Sequence, residues 1–356
     1  MSHSLALVSG SGVAGLTCAH LLAARGWRVD CVPGPRMPGP IVVVGRPTAD
    51  FLLELWQADE TLFSGAHRLQ GRVIHWERGA SSALSPAPAF AMPVDVLRAR
   101  LAERARATGV CFVAHGQVDP ASYDRIIHAG GRAGSSEVSI AFGRRRGVAA
   151  SVKLTSRART DRAVMESVPG GWLFLIPLGL GRGALQAVFA GEIVEPRADL
   201  RMLLAHSRVI SSLVEEIVDD PAGFAAMPRL ATKPCGSRSI AVGDAAMTLD
   251  PMSGNGIGSG LRSAILAAAV LDAARRETMP QACFDHYAQR LRDALRSHVR
   301  TCVDFYSRAA NAADWRGEID TMNEALDRLP SGPNLSPFML NNGRLDRVAD
   351  ARSSGA

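Results

Sequence analysis

Two textures of apolar and polar positions alternate along this chain. In the first, short apolar runs are separated by alanine-rich stretches at helical spacing. Leu5-Ala6-Leu7-Val8 predicts a buried strand, Leu16–Arg25 an apolar helix stopped by Gly26, and Trp27–Val32 a second strand. Ile41–Val44 predicts a short strand, Phe51–Gln57 a short helix, and Arg68–Glu77 a strand turning at Gly71. Residues 79–89 are a Ser/Pro/Ala loop. Val94, Leu97, Leu101 and Ala105 stripe one face of a helix over Val94–Thr108, closed by Gly109. Strands follow at Val110–Ala114 and Tyr123–Ala129. From Gly147 the texture changes. Val148–Thr155, Arg162–Val168, Trp172–Pro177 and Ala184–Ala190 are strand-like runs between glycine turns and predict an antiparallel meander, with helices near 197–206 and 209–218 after it. The first texture then returns. Ser239–Val242 predicts a strand ended by Gly243-Asp244, Ile257–Ala274 a long apolar helix, and helical spacing runs through 281–313 with a short helix near 318–328.

Composition narrows the class. Of 356 residues, 47% are hydrophobic and 21% charged, which is the balance of a globular chain. No apolar run reaches the ~20 residues of a membrane span, and the N-terminus lacks a basic segment followed by a cleavage site, so a cytoplasmic location and no membrane span are expected. Cys18, Cys31, Cys111, Cys235, Cys283 and Cys302 form no C-x-x-C pair and no zinc spacing, and read as buried thiols without a metal site. The net charge of +6 rests on arginine, since the lysines are Lys153 and Lys233 alone. Most arginines are scattered. Arg144-Arg145-Arg146, between Gly143 and Gly147, are expected in an exposed loop. With only 5% aromatic residues there is no stacking platform, and nucleic acid is not expected as a partner.

The first candidate chemistry lies between the first two strands. Gly10, Gly12 and Gly15 have the G-x-G-x-x-G spacing of a dinucleotide site. Gly10 suits the tight turn, Gly12 lets a pyrophosphate approach the backbone, and Gly15 lets helix and strand pack closely. The first amides of the helix, at Val13 and Ala14, would face the phosphates. The acidic residue that usually ends the second strand, about 20 residues on, is replaced by Pro33. Asp30 lies earlier in the strand, and the following segment offers only Arg36. Weak adenosine-side binding is therefore expected.

The second constellation is residues 240–260, IAVGDAAMTLDPMSGNGIGSG. A carboxylate at a strand's end, Asp244, can accept hydrogen bonds from a ligand's hydroxyls. The turn after Pro251 can present the amides of Ser253, Gly254, Asn255, Gly256 and Ile257, at the positive end of a helix, to a negatively charged group.

This stretch, with the N-terminal fingerprint, resembles the FAD-dependent monooxygenases of the p-hydroxybenzoate-hydroxylase fold and the related flavin-dependent tryptophan halogenases. Tyr123–Arg132 is similar to the strand preceding that family's A-x-G-R-x-S segment. Trp172-Leu173-Phe174-Leu175-Ile176-Pro177 resembles the halogenases' W-x-W-x-I-P, with Phe174 for the second tryptophan. Alternation alone puts Trp172 and Phe174 on one face of an ordinary buried strand. The resemblance spans residues 4 to about 275. With the returning first texture it implies an α/β fold with a discontinuous Rossmann-type FAD domain (1–80 and 237–275), a linking part (81–145) and an antiparallel-sheet substrate domain (146–236), while helical spacing alone makes 276–356 a helical C-terminal region and tail.

The resemblance also implies FAD as cofactor and oxygen insertion into an electron-rich aromatic ring through a flavin C4a-hydroperoxide. The halogenases' lysine has no counterpart, because residues 1–152 contain none and Lys153 comes too late. Halogenation is not expected. Gly130-Gly131 stands where single-component hydroxylases have Asp-Gly, and Val94 where they have an arginine that Arg98 would have to replace. Electrons would come from NAD(P)H or a separate flavin reductase. The length, the strand and the missing lysine are similar to the LodB/GoxB-like subgroup, which modifies a tryptophan in a partner protein. A protein substrate thus stands beside a small aromatic one, with the polar C-terminus or Trp315 as a docking face or Trp315 simply tucked in. A flavin oxidase or dehydrogenase and a maturation-type flavoprotein are the alternatives. His67, His75 and His128 are read as structural, and no catalytic side chain is named.

Overall fold

The computed structural model describes residues 4–34, 39–77, 83–132, 138–277, 280–330 and 337–347. Arg36 and the start of the 79–89 loop lie outside them. In chain order, β1 (Leu5–Ser9), α1 (Val13–Ala24) and β2 (Arg28–Val32) form the opening unit. Next come β3 (Ile41–Gly45) and α2 (Arg46–Leu55), which starts five residues before the expected Phe51 because Pro47 sits at its opening turn, where a missing N–H costs nothing. β4 (His67–Leu69) and β5 (Gly71–His75) replace the single strand expected there. β6 (Ala83–Ser85) and β7 (Ala89–Pro93) fall in and just after the expected loop. α3 (Val94–Ala107), β8 (Cys111–Phe112) and β9 (Arg125–His128) follow as the pattern predicts.

Beyond β10 (Ser139–Ala141) stand the long strands β11 (Arg146–Leu154), β12 (Arg162–Val168), β13 (Gly171–Gly179) and β14 (Arg182–Phe189). Then come α4 (Pro196–His206), β15 (Val214–Ile217), β16 (Ala222–Ala225), β17 (Arg229–Ala231), β18 (Ser239–Ala241) and β19 (Met247–Thr248). α5 (Gly256–Ala274), α6 (Gln281–Ser307), α7 (Arg316–Asp327) and a hairpin of β20 (Phe338–Asn341) and β21 (Arg344–Arg347) complete the chain.

Two sheets carry the architecture. The first is parallel, in the order β18-β9-β1-β2-β8, so the late strand 239–241 joins a sheet begun at residue 5. The second has eight strands, β15-β11-β14-β13-β12-β5-β6 with β16 also on β11. It differs from a plain meander. β12, β13 and β14 are consecutive and antiparallel, but β11 pairs with β14 and not with β12, whose outer edge takes β5 in parallel. Gly71 thus separates two strands in different sheets, since β4 pairs with β7.

The helix expected at 209–218 is a short turn, Ile210–Ser212, and then β15. The cause is Glu166 of β12, 4% exposed. Its carboxylate accepts the amides of Arg208 (2.7 Å), Val209 (3.2 Å) and Ile210 (3.0 Å) and the Ser207 hydroxyl (2.6 Å). The chain is turned there, and the β-branched ends of VEEI complete the open edge of β11.

The arginine triplet is not a uniformly exposed loop. Arg144 and Arg146 are exposed, but Arg145 between them is fully buried. Its Nε donates to Asp250 (3.0 Å), its Nη1 to Glu318 (2.6 Å) and its Nη2 to the Phe142 carbonyl (3.3 Å). Asp250 also accepts the Tyr306 hydroxyl (3.1 Å), which in turn accepts the Trp172 indole N–H (3.2 Å). Trp315 is 0% exposed and packs on the Tyr306 ring at 4.2 Å, so the docking role weighed for it is excluded. Most cysteines are buried as expected, but Cys111 is exposed. Among the described residues one helix, α5, is long and apolar enough to cross a membrane, and 72% of it is buried inside the protein.

Removing one partner of a buried ion pair leaves the other charge stranded. Arg145→Ala is expected to cost about 3–5 kcal/mol of folding stability, read as a lower denaturant midpoint at unchanged slope. A loss below ~1 kcal/mol, the range of exposed pairs, would show that the triad is not what joins these elements.

Candidate cofactor site

The carboxyl ends of β1 and β18, the first turn of α1 and the second turn of α5 pack together, and the glycines show how closely. Gly10 has φ +117°, donates its N–H to the Val32 carbonyl (2.8 Å), and a Cβ there would lie 2.3 Å from the Ala129 oxygen. A Cβ on Gly15 would lie 2.2 Å from the Gly10 oxygen. Both are packing glycines. Gly12 is different: φ is −68°, and its nearest neighbour would be the Ala129 oxygen at 4.0 Å. The space above Gly12 is therefore open. It leads to the amides of Val13 and Ala14, at a helix start with no side-chain cap and no acidic residue in its first turn. Unpaired amides and the positive end of the helix face that space without a protein anion.

The second constellation abuts the first. Gly243 has φ +61°, and a Cβ there would stand 2.7 Å from the Ala14 methyl; Gly260 of α5 approaches the same methyl. Asp244, next in sequence, is 45% exposed and 3.3 Å from Arg132 Nε. It stands in a concave patch lined by Arg132, Ser139, Arg229 and Ala246. Desolvation by these walls raises its pKa above the usual carboxylate value, and the Arg132 charge offsets part of the rise.

Downstream, the Asp250 carboxylate caps the turn Pro251–Ser253 through the Met252 amide (2.9 Å). Gly254 (φ +61°) and Gly256 are exposed, flanking Asn255, which leaves α5 without a side-chain cap. Ile257 lies in the first turn of α5, which carries no acidic residue.

Arg98 reaches the Gly10–Gly12 loop, donating to the Ser11 carbonyl (3.2 Å), while its Nη1 is ion-paired with Asp95 at 3.0 Å. Asp30 accepts the Tyr123 hydroxyl (2.7 Å) within the cluster of Leu7, Val32 and Tyr123, turned away from the site, and Pro33 is exposed. Lys153 is exposed and paired with Glu215 at 2.7 Å. The residues brought together fit a flavin dinucleotide: two uncapped helix starts for its anionic parts and an accessible carboxylate for its hydroxyls. The ribose position at Pro33 is the misfit.

Sequence reasoning gave Arg132 no partner and overlooked Arg72 and Arg229. Arg72 had a legible signal, since in the alternating strand after Gly71 it shares a face with Ile74.

Neither a protein-family model nor a curated protein sequence matches the chain. Solved structures do. The peptidyl tryptophan dihydroxylase QhpG, essential for tryptophylquinone cofactor biogenesis, superposes with TM-score 0.76 at 19% identity, covering 98% of this chain and 86% of its own. The flavin-dependent halogenase CmlS gives 0.76 at 18% identity, covering 100% and 71%. The probable FAD-dependent monooxygenase pqsL from Pseudomonas aeruginosa gives 0.65 at 17% identity, covering 90% and 100%. The chain has the α/β fold these flavin-dependent enzymes share.

Two outcomes separate the roles of these residues. Gly12→Val is expected to fold with a near-unchanged thermal midpoint, whereas Gly10→Ala, strained at positive φ and clashing with backbone, loses at least ~1 kcal/mol. For Asp244, a raised folded pKa means the folded state binds the proton more tightly than the unfolded chain does. Its contribution to stability is present at low pH and lost as pH rises through the folded value. Asp244→Asn should therefore hold or raise the thermal midpoint near pH 7, and the gap to the parent should close on acidification.

Proposed function

We propose that the chain is an FAD-dependent oxygenase that inserts oxygen into an electron-rich aromatic ring. The carrying observation is the close packing of Gly243 and of Gly260 in α5 on Ala14, which sets the uncapped start of α1 beside the turn that carries the accessible Asp244 carboxylate and beside an α5 that is itself uncapped. In this reading Gly10, Gly12 and Gly15 shape the diphosphate seat. Val13 and Ala14 give it amides, and Arg98 stands by with its charge. Asp244 holds the ribityl chain once Arg132 yields to it. Pro251, Gly254, Asn255, Gly256 and Ile257 set the loop that receives the pyrimidine edge. Bound flavin supplies the activation of molecular oxygen; the chain orients the ring and keeps water out. We divide the chain as the sequence suggests, into 1–80 with 237–275 for FAD, 81–145 as linking part, 146–236 for substrate and 276–356 as the helical remainder. Residues 71–75 are lent to the substrate sheet.

The solved neighbours support this reading and include a halogenase, whose chemistry is the competing outcome. The absence of lysine from residues 1–152 argues against it. An electron-rich aromatic, free or as a tryptophan of a partner protein, is the substrate proposed.

The test is an absorbance spectrum of the purified chain before and after FAD loading and removal of excess. Retained flavin is expected, and Gly12→Val and Asp244→Ala are expected to lose it while staying folded. Oxygen uptake is then measured with NADH alone, with NADH plus a flavin reductase, and with bromide present. No retained flavin in the parent protein overturns the reading, and a brominated product turns it to halogenation.

A further inference from the structure

The register of the large sheet orders the side chains that face α6 and the 250–256 loop. Ile74, Met165, Phe174 and Gln186 stand in one cross-strand row. Two residues along β13 in one direction, Trp172 is sealed beneath Tyr306. Two residues in the other, Ile176 is sealed against Leu69 of β4 and Ala89 and Ala91 of β7. Between the seals Ile74, Phe174 and Gln186 are only half-buried. An otherwise apolar sheet face is thus open at one place, with an aromatic ring in its floor.

Arg72 stands at the edge of this opening, opposite Ala163 and on the same strand face as Ile74. Its guanidinium is partly withdrawn from water. Its Nε is closed off and bonds nothing. No carboxylate among the described residues pairs with it, and desolvation alone acts on its charge, lowering its pKa. Arg25 and Arg125 also have a closed-off, unbonded nitrogen, but each gives another to a backbone carbonyl, of Gly343 and Asp124. Arg145 has two carboxylates. Arg72 has no acceptor in the described protein. Its Nη1 lies 3.8 Å from where a Cβ on Gly254 would stand, so the charge is aimed at the exposed glycine of the 250–256 loop. A desolvated charge without a counter-charge costs stability, and a retained one calls for an anion from outside the chain.

We propose that Arg72 takes a carboxylate of the substrate, so that the cleft selects an aromatic acid over its neutral counterpart. The planar fork of an arginine matches the two oxygens of a carboxylate. Phe174 and Ile74 give the ring an apolar floor, and Gln186 offers the one amide in the row. This assignment rests on the aromatic-oxygenase reading of the cleft and narrows its substrate class.

Indole-3-acetate and indole-3-acetamide differ in that one charge and serve as probes. In calorimetric titrations of the FAD-loaded protein, the acid is expected to bind at least about ten-fold more tightly than the amide. Arg72→Gln should erase the preference, Arg72→Lys should keep part of it, and both should retain flavin at the parent level by absorbance. Equal binding of acid and amide by the parent, or binding of neither, overturns the proposal. So does Arg72→Gln losing flavin with its preference intact, which would assign Arg72 to the cofactor. If the parent retains no flavin, the oxygenase reading falls, and the same acid-against-amide titration on flavin-free protein still decides Arg72.

Discussion

The buried guanidinium of Arg145 is the constraint on which the rest of the molecule depends. Taking one charge out of water costs several kcal/mol, and two carboxylates repay it only when geometry is good and every donor is used. Here Nε, Nη1 and Nη2 all have acceptors. The three groups come from the start of β11, from the residue before Pro251, and from α7. One knot thus ties the eight-stranded sheet, the 250–256 loop and the C-terminal helices. Tyr306 extends it to Trp172 and, by ring contact, to Trp315. The loop that opens α5 is therefore held from behind by a polar network, while its front, Gly254 and Gly256, stays bare.

The same contrast runs through the whole site. Gly10, Gly15 and Gly243 are glycines because protein atoms occupy the space a side chain would need. Gly12, Gly254 and Gly256 meet almost nothing, and their value lies in what they leave open. A fingerprint of identical letters thus mixes two physical roles, one of packing and one of access.

That difference marks what was legible in the sequence. β1, α1, β2, α3, the long strands and α5 followed from periodicity because each buries a face locally defined by its own residues. The meeting of the two glycine-rich stretches followed from their resemblance to a known pair. Strand order did not follow, because pairing β11 with β14 is settled by edges far apart in the chain. The 209–218 segment was misread because a buried Glu166, distant in sequence, fixes its turn. Arg145 was misread because three adjacent arginines look solvated until two remote carboxylates are placed beside the middle one. For Arg72 the strand face it shares with Ile74 was legible, but its lack of an acceptor among the described residues arises only once the fold has placed every carboxylate elsewhere.

The parallel sheet is begun at residue 5 and finished only by β18 at residues 239–241. A ribosome adding ~5–20 residues per second needs on the order of ten to fifty seconds to cover that interval. For roughly the second half of that time, once β9 has been made, its outer edge is unpaired, and throughout it Ala14 lacks its neighbours Gly243 and Gly260. The two glycine-rich stretches can close on each other only after the strands of the eight-stranded sheet have emerged. Their closure is in this sense a late checkpoint of biosynthesis, passed only by chains whose middle has been made in full.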